Sequence, residues 1–333
     1  MKHKTMLRKT LFTPNEEEKA TREGFGEGLV VAGKKNATIV ALCADLTDST
    51  KMDLFKKEFP LRFFEVGITE QAMSGLASGM AAMGYNPFIA SYAMFSPGRN
   101  WEQIRTLIAY NDQPVKVVGA HAGISVGPDG ATHQALEDIA IMRAMPNMNI
   151  LVPCDAVEAK AMTEFLGSFE KPAYLRLTRE KTPVLLEEGT PFSFGKASIL
   201  YIPQNKFGKS YIHKTAIIGC GPILYEALLA ARELEKEGIG ATVINMSTIK
   251  PLDTDFLLRL SRDVHSFVTV EEAQVHGGLG GAVAEYMSAH KPIKIVSVGV
   301  QDTFGQSGKP KELYEEYGLT ANHIMEAVKS SLA

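Results

Sequence analysis

Short apolar runs rich in β-branched residues alternate with helix-favouring stretches along most of the chain, the pattern of strands buried within parallel α/β layers. In the first half the runs are TIVAL (38–42), PFIAS (87–91), VKVVG (115–119), NILVP (149–153) and AYLRL (173–177), with helices predicted near 20–33, 70–83, 98–110, 135–144 and 155–168. The stretch TPVLLEEGTPFSFGK (182–196) breaks the rhythm with two prolines and two glycines, as a connection between domains does. Alternation then resumes with TAIIG (215–219), ATVIN (241–245), SFVTV (266–270) and IKIVSVG (293–299), and with helices near 222–237, 278–289 and 311–330. The expected fold class is α/β, as two parallel or mixed-sheet sandwich domains over residues 13–190 and 191–333, without an internal repeat.

Composition narrows the class. A chain of 333 residues with 45% hydrophobic and 22% charged positions is long enough for two domains with proper cores. A net charge of −3 offers no global basic field for nucleic acid or anionic lipid, so neither is expected as a partner. No uninterrupted apolar stretch approaches the ~20 residues of a membrane span. Cys43, Cys154 and Cys220 are widely spaced and form no CxxC, which fits a reducing, cytoplasmic setting better than a disulfide framework or a zinc site. The opening MKHKTMLRKT is basic but runs into NEEEKATREG with no apolar core, which argues against a secretory leader.

Two glycine-rich stretches carry no phosphate signature. In HGGLGGAVAEY (276–286) the sixth position from Gly278 is Val283, which breaks GxGxxG, and no Walker sequence occurs. IIGCGPILYEA (217–227) reads as strand, turn and helix, with Pro222 at the first helical positions. The informative stretch is GAHAGISVGPDGATHQALEDIAIMRAMPNM (119–148). It leaves a buried strand, crosses a loop holding Gly123, Gly127 and Gly130 with His121, Asp129 and His133, and enters a helix at about Gln134. Strand ends in α/β folds are where ligands sit, and two histidines with an acid can move protons near neutral pH. A zinc site lacks a third nitrogen or sulfur ligand at a matching spacing.

A second stretch, EVGITEQA (65–72), opens a helix with Thr69 as expected N-cap, Glu70 in the first turn and Gly84 as terminator. Taken alone, Glu70 is a carboxylate favoured there by the helix dipole. Gly75 and Gly79 form GxxxG, and each glycine inside a helix costs about 1 kcal/mol relative to alanine, so something must approach closely.

Together these stretches carry a resemblance. RFFEVGITEQAMSGLASGMAAMGYNPFIASYAMFSPGRNWEQIR (62–105) and VGAHAGISVGPDGATHQALEDIAIMRAMPNMNILVP (118–153) resemble the pyrimidine-binding domain of transketolases. VEEAQVHGGLGGAVAE (270–285) and SVGVQDTFGQSGKPKELYEEYGL (297–319) resemble the transketolase C-terminal domain and that of 1-deoxyxylulose-5-phosphate synthase. The resemblance implies the C-terminal subunit of a split transketolase, which transfers a two-carbon ketol unit from a ketose phosphate to an aldose or aldose phosphate, as in the pentose phosphate pathway. It places Glu70 against the pyrimidine N1′ of thiamine diphosphate, where the family acid promotes the 4′-imino tautomer that takes the thiazolium C2 proton. Tyr92 and Phe95 match aromatic positions that hold the pyrimidine, and where a family aromatic near Gly98 is missing the pocket is expected to be either more open or completed by Arg99. Asp45 and Leu46 fall at cofactor positions, and Arg22, Ser49 and Arg179 at substrate positions. His121, Asp129 and His133 match the substrate channel, where the histidines assist proton transfer and the acid reads a sugar hydroxyl. The GxxxG helix then falls at a subunit interface, with packing inside one domain as the competing account.

One part of the family pattern is missing. The chain has neither a GDG motif nor its downstream Asn pair, and hard cations need several oxygen ligands together. The resemblance therefore implies that Mg²⁺ or Ca²⁺ and the diphosphate are held by an N-terminal transketolase subunit carrying GDG, with no metal ligand on this chain. A homodimer is expected for the chain alone and a heterotetramer with the partner. Competing readings are half of a 1-deoxyxylulose-5-phosphate synthase-like enzyme, a 2-oxo-acid dehydrogenase β-subunit, whose family lacks the GISVGPDGATHQ loop, and a regulatory or scaffolding paralogue.

Overall fold

The computed structural model describes residues 7–204, 211 and 214–333, so the expectation about a leader falls partly outside the described residues. Every strand predicted from an apolar run is present, and the architecture is mixed α/β. One sheet has seven strands in the order Thr248–Lys250, Asn149–Leu151, Ala173–Arg176, Lys116–Ala120, Asn86–Tyr92, Ile39–Cys43, Phe63–Glu65. All its neighbours are parallel except Thr248–Lys250, which runs antiparallel to Asn149–Leu151. A second sheet has five strands, Lys294–Val300, Ser266–Gln274, Lys214–Gly219, Gly240–Asn245 and Ser198–Tyr201, the last antiparallel to its neighbour, and a third is the two-stranded antiparallel pair Glu18–Lys19 and Thr182–Pro183. The strands that the pattern missed, Glu18–Lys19, Phe63–Glu65, Thr182–Pro183, Ser198–Tyr201 and Thr248–Lys250, are all short and lie on sheet edges, where one side needs no apolar run. Thr248–Lys250 also carries a segment of the second half of the chain into the sheet of the first.

Helix boundaries required more correction. The helix expected at Gln134 starts at Asp138, because Gln134 is used as a buried side-chain donor to three carbonyls. The stretch 311–330 is two helices, Pro310–Glu316 and Ala321–Leu332, parted at Gly318, whose φ of 70° ends the first. Pro222 precedes its helix, which begins at Leu224. Residues 98–110 form a short α segment, Trp101–Gln103, continued by wider π-type turns over Ile104–Ala109. Thr69 is the N-cap residue of Glu70–Ala82, but its hydroxyl donates to the Val66 carbonyl at 2.8 Å and caps nothing. The connection 182–196 is packed rather than loose: Val184, Leu185 and Leu186 are buried, and the last two amides donate to Asp155.

Two features position the functional residues. Helix Thr21–Lys35 lies in backbone contact with helix Ala156–Leu166: a Cβ on Gly24 would sit 2.0 Å from the Ala156 carbonyl oxygen, and one on Gly28 2.7 Å from that of Lys160. The close approach buries Phe25 and Leu29 completely, each worth about 1.5–3 kcal/mol, and fixes Arg22 over the sheet. The second feature is a buried polar hub. Asp138 Oδ2 accepts from Arg176 Nε at 2.8 Å and from the Tyr174 hydroxyl at 2.6 Å, while Arg176 Nη2 donates to the carbonyl oxygens of Glu272 at 2.8 Å and Ala135 at 3.3 Å. Burial works against the Arg176 charge, but the Asp138 carboxylate outweighs it and holds the guanidinium pKa above its usual value.

Removing one member of such a pair strands the other without water. Arg176→Met is expected to cost about 3–5 kcal/mol in urea unfolding. A loss below about 1 kcal/mol, the range of exposed pairs, would show that the hub does not hold the halves together.

Candidate active site

The C-terminal ends of neighbouring parallel strands gather the candidate residues, the position where open α/β sheets bind ligands. Tyr92 closes strand Asn86–Tyr92, His121 follows Lys116–Ala120, and Arg179 lies just beyond Ala173–Arg176. Glu70, at the head of its helix, is only 2% exposed and is not a lone acid: Oε2 accepts from Arg99 Nη1 at 2.9 Å. Arg99 is 47% exposed and lies over the Phe95 ring, 4.8 Å from its centroid, so one cation meets both the carboxylate and the aromatic face. Asn100, which the sequence reading did not single out, donates to the Glu70 carbonyl at 3.1 Å and to the hydroxyls of Ser74 and Ser96. It locks the turn carrying Phe95 and Arg99 onto the Glu70 helix.

The aromatic pair joins this corner to the histidines. Phe95 and Tyr92 stack at 5.9 Å between centroids, and His133 meets the edge of Phe95 at 5.5 Å. His121 lies flat on Tyr92 at 3.8 Å, so one face of Tyr92 is already covered. His121 has a φ of 54° and is 2% exposed, and its buried Nδ1 has no hydrogen-bond partner among the described residues. Burial, with the charges of Arg22, Arg179 and His133, lowers its pKa to about 3 and keeps the ring neutral. His133 is half-buried, and its Nδ1 is 2.9 Å from the Thr132 hydroxyl.

On the far side stand the arginines. Arg22 donates from Nε to the Arg179 carbonyl at 3.0 Å and from Nη1 to the Ser49 carbonyl at 2.8 Å. The adjoining Thr21 hydroxyl accepts the Thr178 amide at 2.8 Å, which fixes the two arginines side by side. Arg179 Nη1 donates to the Val126 carbonyl at 2.7 Å and lies 3.9 Å from Asp129 Oδ1. Direct contacts thus join Glu70, Arg99, Phe95, Tyr92, His133 and His121 into one group and Arg22, Ser49, Arg179 and Asp129 into a second, and the charges of Arg22 and Arg179 act on His121 across the gap between them. Asp45 and Leu46 stand apart. The Asp45 amide donates to Glu65 at 2.7 Å and Leu46 packs on the core around Phe25 and Phe55. Among the described residues neither shares a hydrogen bond with Glu70 or the histidines.

Comparison with known proteins identifies the architecture. The chain matches the transketolase pyrimidine-binding domain over residues 17–184 and the transketolase C-terminal domain over residues 211–324. It is 43% identical over 318 residues to a protein of Methanocaldococcus jannaschii provisionally described as a transketolase C-terminal section, covering 93% of this chain and 97% of that protein. It is 37% identical over 311 residues to the 6-deoxy-6-sulfo-D-fructose transketolase subunit SqwH of Clostridium sp. (strain MSTE9), covering 93% and 94% respectively. Among solved structures, one described as a split gene transketolase in an inactive beta4 tetramer superposes with a TM-score of 0.83 at 41% identity, over 94% of this chain and 98% of that one. The chain belongs to the transketolase family, whose members use thiamine diphosphate.

The first group suits one half of that cofactor. A buried carboxylate beside an aromatic face fits a flat heterocycle carrying a basic nitrogen, and the orphaned Nδ1 of His121 marks an unused polar position nearby. For the charged half the chain offers less: among the described residues no group of three or more His, Cys, Asp or Glu side chains could hold a metal ion. No helix among them is long and apolar enough to cross a membrane.

The state of His121 is open to measurement without any ligand. Its folded pKa, about 3, lies below the ordinary 6.5, so the unfolded chain binds a proton between those values that the folded chain does not. Stability from this site is full above pH 6.5 and is lost as the pH falls toward 3. His121→Gln is expected to flatten that part of the acid limb in urea midpoints measured across this range; parallel curves for the two proteins would show a ring protonated in the fold.

Proposed function

We propose that this chain is the C-terminal subunit of a transketolase that moves a two-carbon ketol unit from a ketose phosphate to an aldose or aldose phosphate, working with a second subunit that carries the GDG motif and the metal. The observation that supports this most directly is buried Glu70 set beside Phe95 through Arg99, with His133 at the edge of Phe95 and the charge of Arg179 felt at His121. In this reading residues 13–190 form the pyrimidine-binding unit and 191–333 the C-terminal unit. Thiamine diphosphate would lie with its aminopyrimidine against Glu70 and Phe95, and when bound it supplies the nucleophilic carbon and electron sink for breaking the ketose C–C bond. Mg²⁺ or Ca²⁺ and the diphosphate would be held by the partner.

The roles of the side chains follow from their settings. Glu70, desolvated and fixed by Asn100, offers its carboxylate to the ring nitrogen. His121, held neutral down to about pH 3, is a hydrogen-bond partner for a sugar hydroxyl rather than a proton carrier at neutral pH. His133, half-exposed and turned through Nδ1 toward Thr132, is better placed to exchange protons with donor and acceptor. Asp129 reads a hydroxyl, and the paired arginines receive the anionic end of the donor, with Arg179 presenting the planar fork that phosphate matches. The Clostridium relative is named for a sulfonated ketose, and a sulfonate would meet the same fork. The three cysteines, all buried and free, suit a reducing cytoplasm.

Assembly follows from the division of the cofactor. On helix Glu70–Ala82 a Cβ at Gly79 would have nothing within 4 Å, and one at Gly75 only the Leu107 side chain at 3.7 Å. The glycines therefore serve no close packing inside this chain, which favours the subunit-interface account. Two copies of each chain would form the active heterotetramer, while this chain alone would pair with itself; the related chain described as an inactive beta4 tetramer points the same way.

Two measurements test the proposal. Alone, the purified chain is expected to transfer no ketol unit and to bind thiamine diphosphate with Mg²⁺ only weakly by calorimetry, and both properties should appear on adding the GDG subunit. Binding of ~1 μM or tighter without a partner, which needs roughly −8 kcal/mol, would sink the split-site reading. In the reconstituted enzyme His133→Ala should lower kcat by ~10²–10⁴, the span for a positioned proton-transfer group, and His121→Ala by less. Unchanged steady-state rates in both variants would make the loop structural.

A further inference from the structure

The turn Ile124–Asp129 is gripped by residues that no sequence motif had assigned a role. Glu272, near the end of strand Ser266–Gln274 in the second sheet, is fully buried, and its Oε1 accepts the Ser125 amide at 2.7 Å. Its Oε2 accepts the Tyr314 hydroxyl at 2.8 Å, from helix Pro310–Glu316. The approach is so close that a Cβ on Gly123 would lie 2.2 Å from Oε1, and Gly123 has a φ of 91°. From the other side, buried Gln134 donates to the Ile124 carbonyl at 3.1 Å and to the Gln306 carbonyl at 3.0 Å, and so ties the turn to the 301–309 loop of the second half. A Cβ on Gly130 would come within 2.7 Å of the Ser307 hydroxyl.

A carboxylate withdrawn from water on a strand end is costly, and burial pushes the Glu272 pKa up. None of its side-chain bonds serves the sheet in which it sits. They go to the turn and to the tyrosine. The next residue after Ser125 is Val126, whose carbonyl holds Arg179 Nη1, and Asp129 closes the same turn. A displacement at Ser125 is therefore passed to the guanidinium within one peptide unit.

We infer that the second domain takes part in donor recognition, with Glu272, held by Tyr314, as a positioning residue that fixes the Ile124–Asp129 turn and through the Val126 carbonyl aims Arg179 at the anionic group of the donor. The clamp itself is a property of this chain; its effect on the donor rests on the function proposed above.

Tyr314→Phe removes one hydroxyl and keeps the ring, while Glu272→Gln keeps an acceptor for Ser125 and can donate its amide to the tyrosine oxygen. In the isolated chain, Tyr314→Phe should speed hydrogen exchange at the Ser125 amide by about tenfold or more, the equivalent of one bond to a charged group, and Glu272→Gln should stay near the unmutated protein. In the reconstituted enzyme, Tyr314→Phe should raise KM for a phosphorylated ketose by a similar factor with kcat unchanged, and leave an unphosphorylated ketose unaffected. Unaltered exchange at Ser125, or equal losses for the two donors, would overturn the inference. If the unmutated pair transfers no ketol unit, the functional reading falls, and the exchange measurement still decides the clamp.

Discussion

Arg176 holds the molecule together at the point where its parts have to agree. It sits on the strand Ala173–Arg176, three residues before Arg179, and its counter-ion Asp138 opens the helix that follows the histidine loop. Its Nη2 donates to the carbonyls of Ala135 in that loop and of Glu272 in the second sheet. One guanidinium therefore registers the strand that presents an arginine, the loop that presents two histidines, and the domain that clamps the loop. A planar fork of five donors is suited to such a task, because its bonds leave in fixed directions. A lysine would supply the charge without the register.

The same logic of compensated burial governs the other end of the site. Glu70 lies where water cannot reach it, and an isolated buried carboxylate is far costlier than one with a partner. In this chain Arg99 supplies the partner, from an exposed position and across the face of Phe95. A ring bound against Glu70 and Phe95 has to share that space with the guanidinium or displace it. The turn that carries Arg99 is tied at its root, where Asn100 holds it to the Glu70 helix by two bonds and to Ser96 within the turn by a third.

What the sequence made legible follows from the physics of each element. Central strands such as Lys116–Ala120 are buried on both faces and must be continuous apolar runs, so they were read correctly. Edge strands such as Thr248–Lys250 are under no such demand and left no signal. Glu70, His121, His133 and Arg179 were singled out because their types and spacing match a family pattern, and the fold links the first three through Arg99, Phe95 and Tyr92. Their supports were not found, since Asn100, Gln134 and Glu272 act through contacts made 26, 172 and 147 residues away in the chain. One of them had left a trace. SFVTVEEAQ places two adjacent acids inside an almost wholly buried strand, and such a pair is tolerated only where both are bonded. The first, Glu271, accepts the amides of Leu279 and Gly280 at a helix start, and the second became the clamp.

The exposed side of the Glu70 helix completes the argument about division of labour. Leu76 and Met83 on or just beyond that helix, with Ile68 before it and Tyr110 nearby in sequence to its packing partner Leu107, are all large apolar side chains left in water. Glycines at 75 and 79 keep the surface between them low. Scattered apolar residues need no explanation, but a stripe flanking two glycines that serve nothing inside the chain does. The stripe runs along the very helix whose first residue carries the buried carboxylate. A second chain seated there would bury the apolar side chains and at the same time bring its own groups up to exposed Arg99, the partner of Glu70. On the proposed function, the surface that joins the subunits and the site that holds the cofactor are then the two ends of one helix, so assembly and activation cannot be separated.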